Sequence, residues 1–250
     1  MGLQLIVIPV CLWFLLLLSQ VQAEDLVPTS EGIVHLETFD EYQLLSFPTR
    51  WKVRGDEDVA KAVYQIAEED GNRFLHAHAE QHDVQIGLSR SFAADKFPIL
   101  QWRWRVKQLP TGADERAVKT NDSAAGVYVV YDNRIMPRAI KYVWSASLPV
   151  GTRMTSPVYW RAKVVVLKSG EPHLGEWQQE TVNLYQDYKD LFDAEPGEVQ
   201  GIAVLTDSDI TKSTAEADYD DFTLLTVEAV RAKKAKTSAV QLAPAVTGNQ

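Results

Sequence analysis

Between residues 35 and 227 the chain is written in short stretches of alternating apolar and polar residues, separated by Gly, Pro, Asp and Asn. A period of two sends successive side chains to opposite faces of an extended backbone, so the pattern predicts strands. The clearest are 73–79, 84–92, 99–106, 124–131, 139–146, 159–167, 199–206 and 219–227. One helix is expected after Asn183, an N-cap with Gln186 three residues on; Leu184, Tyr188, Leu191 and Phe192 share a face, and Pro196-Gly197 follow its end. Many strands with a single helix favour packed sheets over strand–helix–strand units. The expectation is an all-β chain: a two-sheet antiparallel β-sandwich (jelly roll) with one short amphipathic helix.

Residues 3–18 are almost wholly apolar, and Val21-Gln22-Ala23 supplies a small-x-small pattern ahead of Glu24 and Asp25. That is the layout of a cleaved secretory signal, and a run of this length interrupted by Pro9 falls short of the about 20 apolar residues that span a bilayer. Three segments follow: a signal peptide at 1–23, a β-sandwich domain at 24–228 and a flexible basic tail at 229–250. The location implied is periplasmic or secreted, with no transmembrane segment in the mature chain. Cys11, the one cysteine, falls inside the signal. Disulfides, thiolate zinc sites and cysteine nucleophiles are therefore excluded beyond it. The four cations after Glu228 leave 21 basic residues against 34 acidic ones in the rest of the chain. Such an excess of acid disfavours nucleic acid as a partner.

The most informative strand is Leu100-Gln101-Trp102-Arg103-Trp104-Arg105-Val106, with tryptophans on one face and arginines on the other. Large rings in this position are first of all core, whereas Arg103 and Arg105 need acidic partners or an anionic ligand if their face is concave. Thr206-Asp207-Ser208-Asp209 offers carboxylates and hydroxyls suited to sugar hydroxyls or to a hard cation, as well as to an ordinary polar turn. Tyr128, Lys141 and Trp144 lie on neighbouring candidate strands. The candidate ligand-binding set is thus Arg103, Arg105, Tyr128, Lys141, Trp144, Asp207 and Asp209. His76-x-His78 puts two imidazoles on one face, a placement that solvent explains without metal.

No motif requires a cofactor. Glu37 and Asp40 open the domain while Asp220 and Asp221 close it, so these four carboxylates are the candidates for a structural Ca2+ joining first strand to last. No nucleophile elbow, phosphate loop, dinucleotide fingerprint or zinc-protease helix is present.

Trp102-Arg103-Trp104-Arg105-Val106, residues 109–116, Val127 to Asp132, residues 142–151 and Gly201 to Asp209 together resemble the bacterial exported family catalogued as domain of unknown function 3047. Lys141 departs from it, standing where Asn is expected, which leaves the ligand class here open. The resemblance implies a jelly roll similar to galactose-binding-like and carbohydrate-binding modules and brings no established activity. The function expected is non-catalytic binding of a glycan or another anionic extracellular ligand. The rivals are a polysaccharide lyase or hydrolase and an envelope scaffold that meets a protein partner.

Overall fold

The computed structural model describes residues 26–132 and 135–232. In chain order the elements are β1 Ile33–Glu37, β2 Lys52–Arg54, α1 Glu57–Val63, β3 Tyr64–Glu69, β4 Asn72–Glu80, β5 Asp83–Ala93, β6 Ile99–Gln108, β7 Ala125–Tyr131, β8 Arg138–Ser145, β9 Arg153–Thr155, β10 Ala162–Ser169, β11 Gln178–Asn183, α2 Leu184–Phe192, β12 Glu198–Asp207 and β13 Thr214–Leu225. One sheet has six strands in the order β11-β6-β13-β4-β3, with β1 also paired to β13; the other has seven, in the order β2-β5-β12-β7-β8-β10-β9. All eight expected strands are present. The antiparallel expectation needs one correction, because β10 runs parallel to β8; the chain between them continues to β9, which pairs antiparallel with β10 at the sheet edge.

The apolar faces of the two sheets meet in a core rich in aromatic rings. Trp102 and Trp104 of β6 reach across to Tyr142 and Trp144 of β8, with ring centroids 5.8 and 6.1 Å apart. Each such pair adds about 0.5–1.5 kcal/mol beyond the area it buries. The polar tips of interior tyrosines also bind across the core. The Tyr64 hydroxyl donates to the Val84 carbonyl and accepts from the Thr206 N–H, and the Tyr219 hydroxyl donates to the Leu205 carbonyl.

Asn183 caps α2 as expected, its side chain accepting from the Gln186 N–H, and the helix ends at Asp193 in a left-handed conformation. Leu184 and Tyr188 are buried against the core. The short helix α1 was not signalled by periodicity; Asp56 caps it through the N–H groups of Asp58 and Val59. In β12 the backbone must pass close to β5 at a bulge. A Cβ on Gly201 (φ +156°) would lie 2.3 Å from the Leu88 carbonyl oxygen, so only glycine fits.

Residues 1–23, the expected signal, lie outside the described residues. Of the tail expected from 229, residues 233–250 also lie outside the described residues; 227–232 are helical and Ala229 is buried. Among the described residues no helix is long and apolar enough to cross a membrane.

Candidate functional site

Alternation along the seven-stranded sheet decides which residues look away from the core. β7 buries Val127, Val129 and Tyr131 in the core and sends Tyr128 and Val130 outward; β8 sends Ala139 and Lys141 outward, β12 Leu205 and Asp207, and β5 Asp83 and Gln85. These outward residues floor a pocket of about 290 Å³. Its walls are Val118 and Asn121 ahead of β7, Ser156, Val158 and Tyr159 ahead of β10, and Asp209 with Ile210 after β12. Strand register then fixes the neighbours: Tyr128 lies opposite Lys141, and Asp83 opposite Asp207.

Lys141 is buried, at 4% exposure, yet charged partners surround it. Its Nζ donates to Ser123 Oγ at 3.0 Å and stands 5.5 Å from the Tyr128 ring centre. Ser123 Oγ donates in turn to Glu115 Oε1, and Ser145 Oγ donates to Glu115 Oε2. Burial works against the ammonium, but Tyr128, Asp207 and Glu115 outweigh it and hold Lys141 above the ordinary lysine value. Gly126 makes room for the lysine stem, since a Cβ there would lie 3.0 Å from Lys141 Cε.

Asp207 is 5% exposed, and its buried Oδ1 has no hydrogen-bond partner. Burial pushes its carboxyl well above the ordinary range; Lys141 opposes this, and Asp122, Asp209 and Asp83 add to it. Asp83 is raised too, first by burial and then by Asp209. Asp122 is fully buried and firmly held: Oδ2 accepts from the Thr211 N–H at 2.7 Å and the Thr211 hydroxyl at 2.6 Å, and Oδ1 from the Ile210 N–H at 3.3 Å. Oxygens of Asp122, Asp207 and Asp209 lie within 4.8 Å of one another, the one such acidic group among the described residues.

Of the seven candidate ligand residues, Tyr128, Lys141, Asp207 and Asp209 share this pocket and three do not. Trp144 is fully buried in the core, because alternation on β8 sets it on the face opposite Lys141. Arg103 and Arg105 belong to the other sheet. There β6 pairs with β13 so that Arg103 lies opposite Asp220 and Arg105 opposite Asp218. Ion pairs follow at 2.6 and 2.8 Å, with Asp221 completing the first at 2.7 Å and Glu69 the second at 2.8 Å. Trp177 stacks near both guanidinium groups, 5.1 and 4.7 Å from its ring centre. Both arginines find their counter-charges within their own sheet, although Arg103 Nε, 2.7 Å from Asp221, makes no aligned hydrogen bond.

The four expected metal ligands likewise have protein partners. Glu37 is buried and accepts from the N–H groups of Thr38 and Phe39, the Tyr42 hydroxyl, Arg50 and the Trp51 indole, which leaves it a hub for the N-terminal loop. Asp40 meets the backbone N–H of Arg73, while Asp220 and Asp221 serve Arg103. His76 likewise bonds Asp218 at 2.7 Å. Sequence reasoning missed Asp83, Gln85, Arg54 and Tyr159 in the pocket, and Asp122 in the acidic group beside it. Gln85 and Tyr159 fall in the expected strands 84–92 and 159–167 and Asp83 directly precedes the first; that Asp83 faces Asp207 is set by strand pairing, which the sequence does not give.

Residues 49–223 match the family described as Protein of unknown function (DUF3047). The chain belongs to that family. No curated protein sequence matches it. Among solved structures, it is similar to the Emp47p carbohydrate recognition domain, with 10% identity over 79% of this chain and 96% of that one, at a TM-score of 0.43. A family 11 xylanase from Neocallimastix patriciarum shares 9% identity over 80% of this chain and 94% of its own, at 0.41. The family 11 carbohydrate-binding module of a Clostridium thermocellum cellulosomal cellulase shares 8% over 80% and 97%, at 0.39. None of these likenesses bears on which residues of this member of the family act.

Proposed function

We propose that this chain is an exported binding domain that takes the end or a short segment of a glycan into the pocket on the outer face of its seven-stranded sheet, without turning it over. The single observation that carries the reading is the company kept in that pocket: two tyrosine rings, Tyr128 and Tyr159, stand among Lys141, Asp83, Asp207 and Asp209. Sugar rings present C–H faces that pack on aromatic surface and hydroxyls that both donate and accept, so they suit a cavity that mixes rings with a few polar groups. The volume is small for a ligand site, where about 300–1,000 Å³ is usual, and this favours a short unit over a long chain. The pocket is rich in acid, so neutral sugars fit it better than uronic acids. Export is read from the apolar segment at 3–18 and the small residues before Glu24.

The test is a glycan screen that includes neutral and uronic oligosaccharides, followed by titration of the hits. Neutral sugars are expected to bind. Tyr128→Ala should weaken binding at least tenfold, whereas Tyr128→Phe, which keeps the ring, should stay within a few-fold of wild type. Silence across the screen, or a Tyr128→Ala variant that binds as well as wild type, would overturn the reading. Release of reducing ends or of unsaturated product during incubation would replace binding with catalysis.

A further inference from the structure

We infer that Asp122, Asp207 and Asp209 form a divalent-cation site, fitted to calcium, at the acidic end of this pocket. The inference shares the pocket with the binding reading but rests on separate groups. Three carboxylate oxygens lie within 4.8 Å of one another. Acid clusters are common on protein surfaces, and a second observation separates this one from them. Asp207 is more than nine-tenths buried, lines the pocket, and has an Oδ1 that no donor reaches. A buried carboxylate oxygen left bare costs at least about 1–3 kcal/mol, so folded proteins ordinarily supply it with a donor or a cation.

Nearby cations do not fill that role. Lys141 directs its Nζ to Ser123 Oγ at 3.0 Å, and no ion pair joins it to Asp207 among the described residues. Its charge is also shared with Glu115, which is fully buried on its other side. Arg54 turns its guanidinium to Gln85 at 3.3 Å and acts on Asp83. The carboxylates of Asp83, Asp122, Asp207, Asp209 and Glu115 thus outnumber the cations Lys141 and Arg54, and a divalent ion offsets part of the excess.

The donor chemistry favours calcium over magnesium. Three carboxylates from separate segments offer the hard oxygens both ions take, but calcium accepts irregular, flexible geometry, while magnesium demands a near-ideal octahedron and gives up its water reluctantly. The three oxygens lie within 4.8 Å of one another, close enough to converge on one ion with small side-chain adjustments. Asp122 is preset as a ligand, because Thr211 fixes its Oδ2 and leaves Oδ1 only the longer contact to Ile210. Calcium takes six to eight oxygens. Three carboxylates leave positions on the pocket side for water or for ligand hydroxyls.

Calorimetric titration with calcium chloride and thermal melting of the same protein test this. Wild type should bind one ion saturably, with a dissociation constant tighter than about 1 mM, and melt higher in its presence. Asp207→Asn and Asp209→Asn should each lose at least tenfold in affinity, Asp220→Asn on the opposite sheet should keep it, and magnesium should bind at least tenfold more weakly. No saturable heat and no melting shift with calcium, or equal binding by wild type and Asp207→Asn, would overturn the site. Repeating the glycan titrations in calcium and in chelator keeps the two readings apart. Calcium binding without any glycan hit leaves the cation site standing and removes the glycan; glycan binding that survives chelator with no calcium heat does the reverse.

Discussion

The two outer faces of the sandwich carry the same kinds of residue and use them in opposite ways. On the six-stranded sheet Arg103, Arg105, Lys107, His76, Asp218, Asp220 and Glu216 form a ladder in which each charge meets an opposite one within 4.0 Å. The seven-stranded sheet gathers carboxylates around a hollow, ties Lys141 to a hydroxyl, and leaves Asp207 Oδ1 without a donor. Register is the cause of the difference. Cross-strand pairing sets arginine opposite aspartate between β6 and β13, but aspartate opposite aspartate between β5 and β12. Charges neutralised within a sheet hold it together; charges left in excess at a cavity have affinity to spend on a ligand.

If the ladder is structural and the pocket is not, breaking each should leave the other intact. The largest effect is expected from Asp218→Ala. Asp218 is fully buried and accepts from Arg105 at 2.8 Å while pairing with His76 and Lys107. Removing one partner of a buried ion pair costs about 3–5 kcal/mol, because the other charge stays behind. Urea unfolding should register that loss, while glycan and calcium affinity measured below the transition stay at wild-type values. By contrast Asp207→Asn should change the metal-free stability by less than about 1 kcal/mol. A folded Asp218→Ala protein that has lost its ligand would mean that the two faces are coupled.

A pH series sharpens the contrast within the ladder. Burial lifts Asp220 to about 6 from an ordinary 3.8, more than Asn72 and Arg103 pull it back. The folded chain therefore keeps this proton longer than the unfolded one, so the stability this group contributes is full below about 4 and is lost as pH rises through about 6. Asp218 behaves oppositely. Burial would raise it, but His76, Lys107 and Arg105 together hold it below its ordinary value, so its contribution is present above that value and is lost as pH falls through the lowered one. Melting temperatures should show wild type losing ground to Asp220→Asn between about pH 4 and 6, with a constant offset at higher pH. Parallel curves across that range would remove Asp220 from the proton balance.

How much of this the sequence reveals depends on whether burial is written locally. β4, β5, β6, β7, β8 and β12 each bury one whole face, so their alternation is legible, and Asn183 with Gln186 marks α2. β2 and β11 are edge strands with mostly polar side chains, and β9 has only three residues; none has a buried face to record. The seven residues of α1 make too few turns to display a period. At the site, alternation correctly separates Trp102 from Arg103 and Trp144 from Lys141. Strand order lies beyond it. Arg105 meets Asp218 because β6 and β13 pair across 113 positions of sequence, and nothing in either segment names the other. Asp122 is harder still, since it lies in no strand and is held beside Asp207 and Asp209 through its bonds to Thr211.

The smallest expected effect probes the joint between fold and pocket. Gly126 on β7 has no positive φ to protect; it is glycine because a Cβ would meet Lys141 Cε at 3.0 Å and the Leu205 carbonyl at 3.4 Å. Gly126→Ala should therefore cost less than about 1 kcal/mol, as the lysine stem can give by a few tenths of an ångström. That small shift moves Nζ off Ser123 and away from the Tyr128 ring, so glycan affinity should fall a few-fold. The cause can be isolated in the Lys141→Met background, where no ammonium remains to be displaced. If Gly126→Ala weakens binding in wild type but adds nothing to Lys141→Met, the two residues act as one unit. Equal losses in both backgrounds would mean that the alanine disturbs the sheet itself, and that the position of Lys141 has no bearing on the ligand.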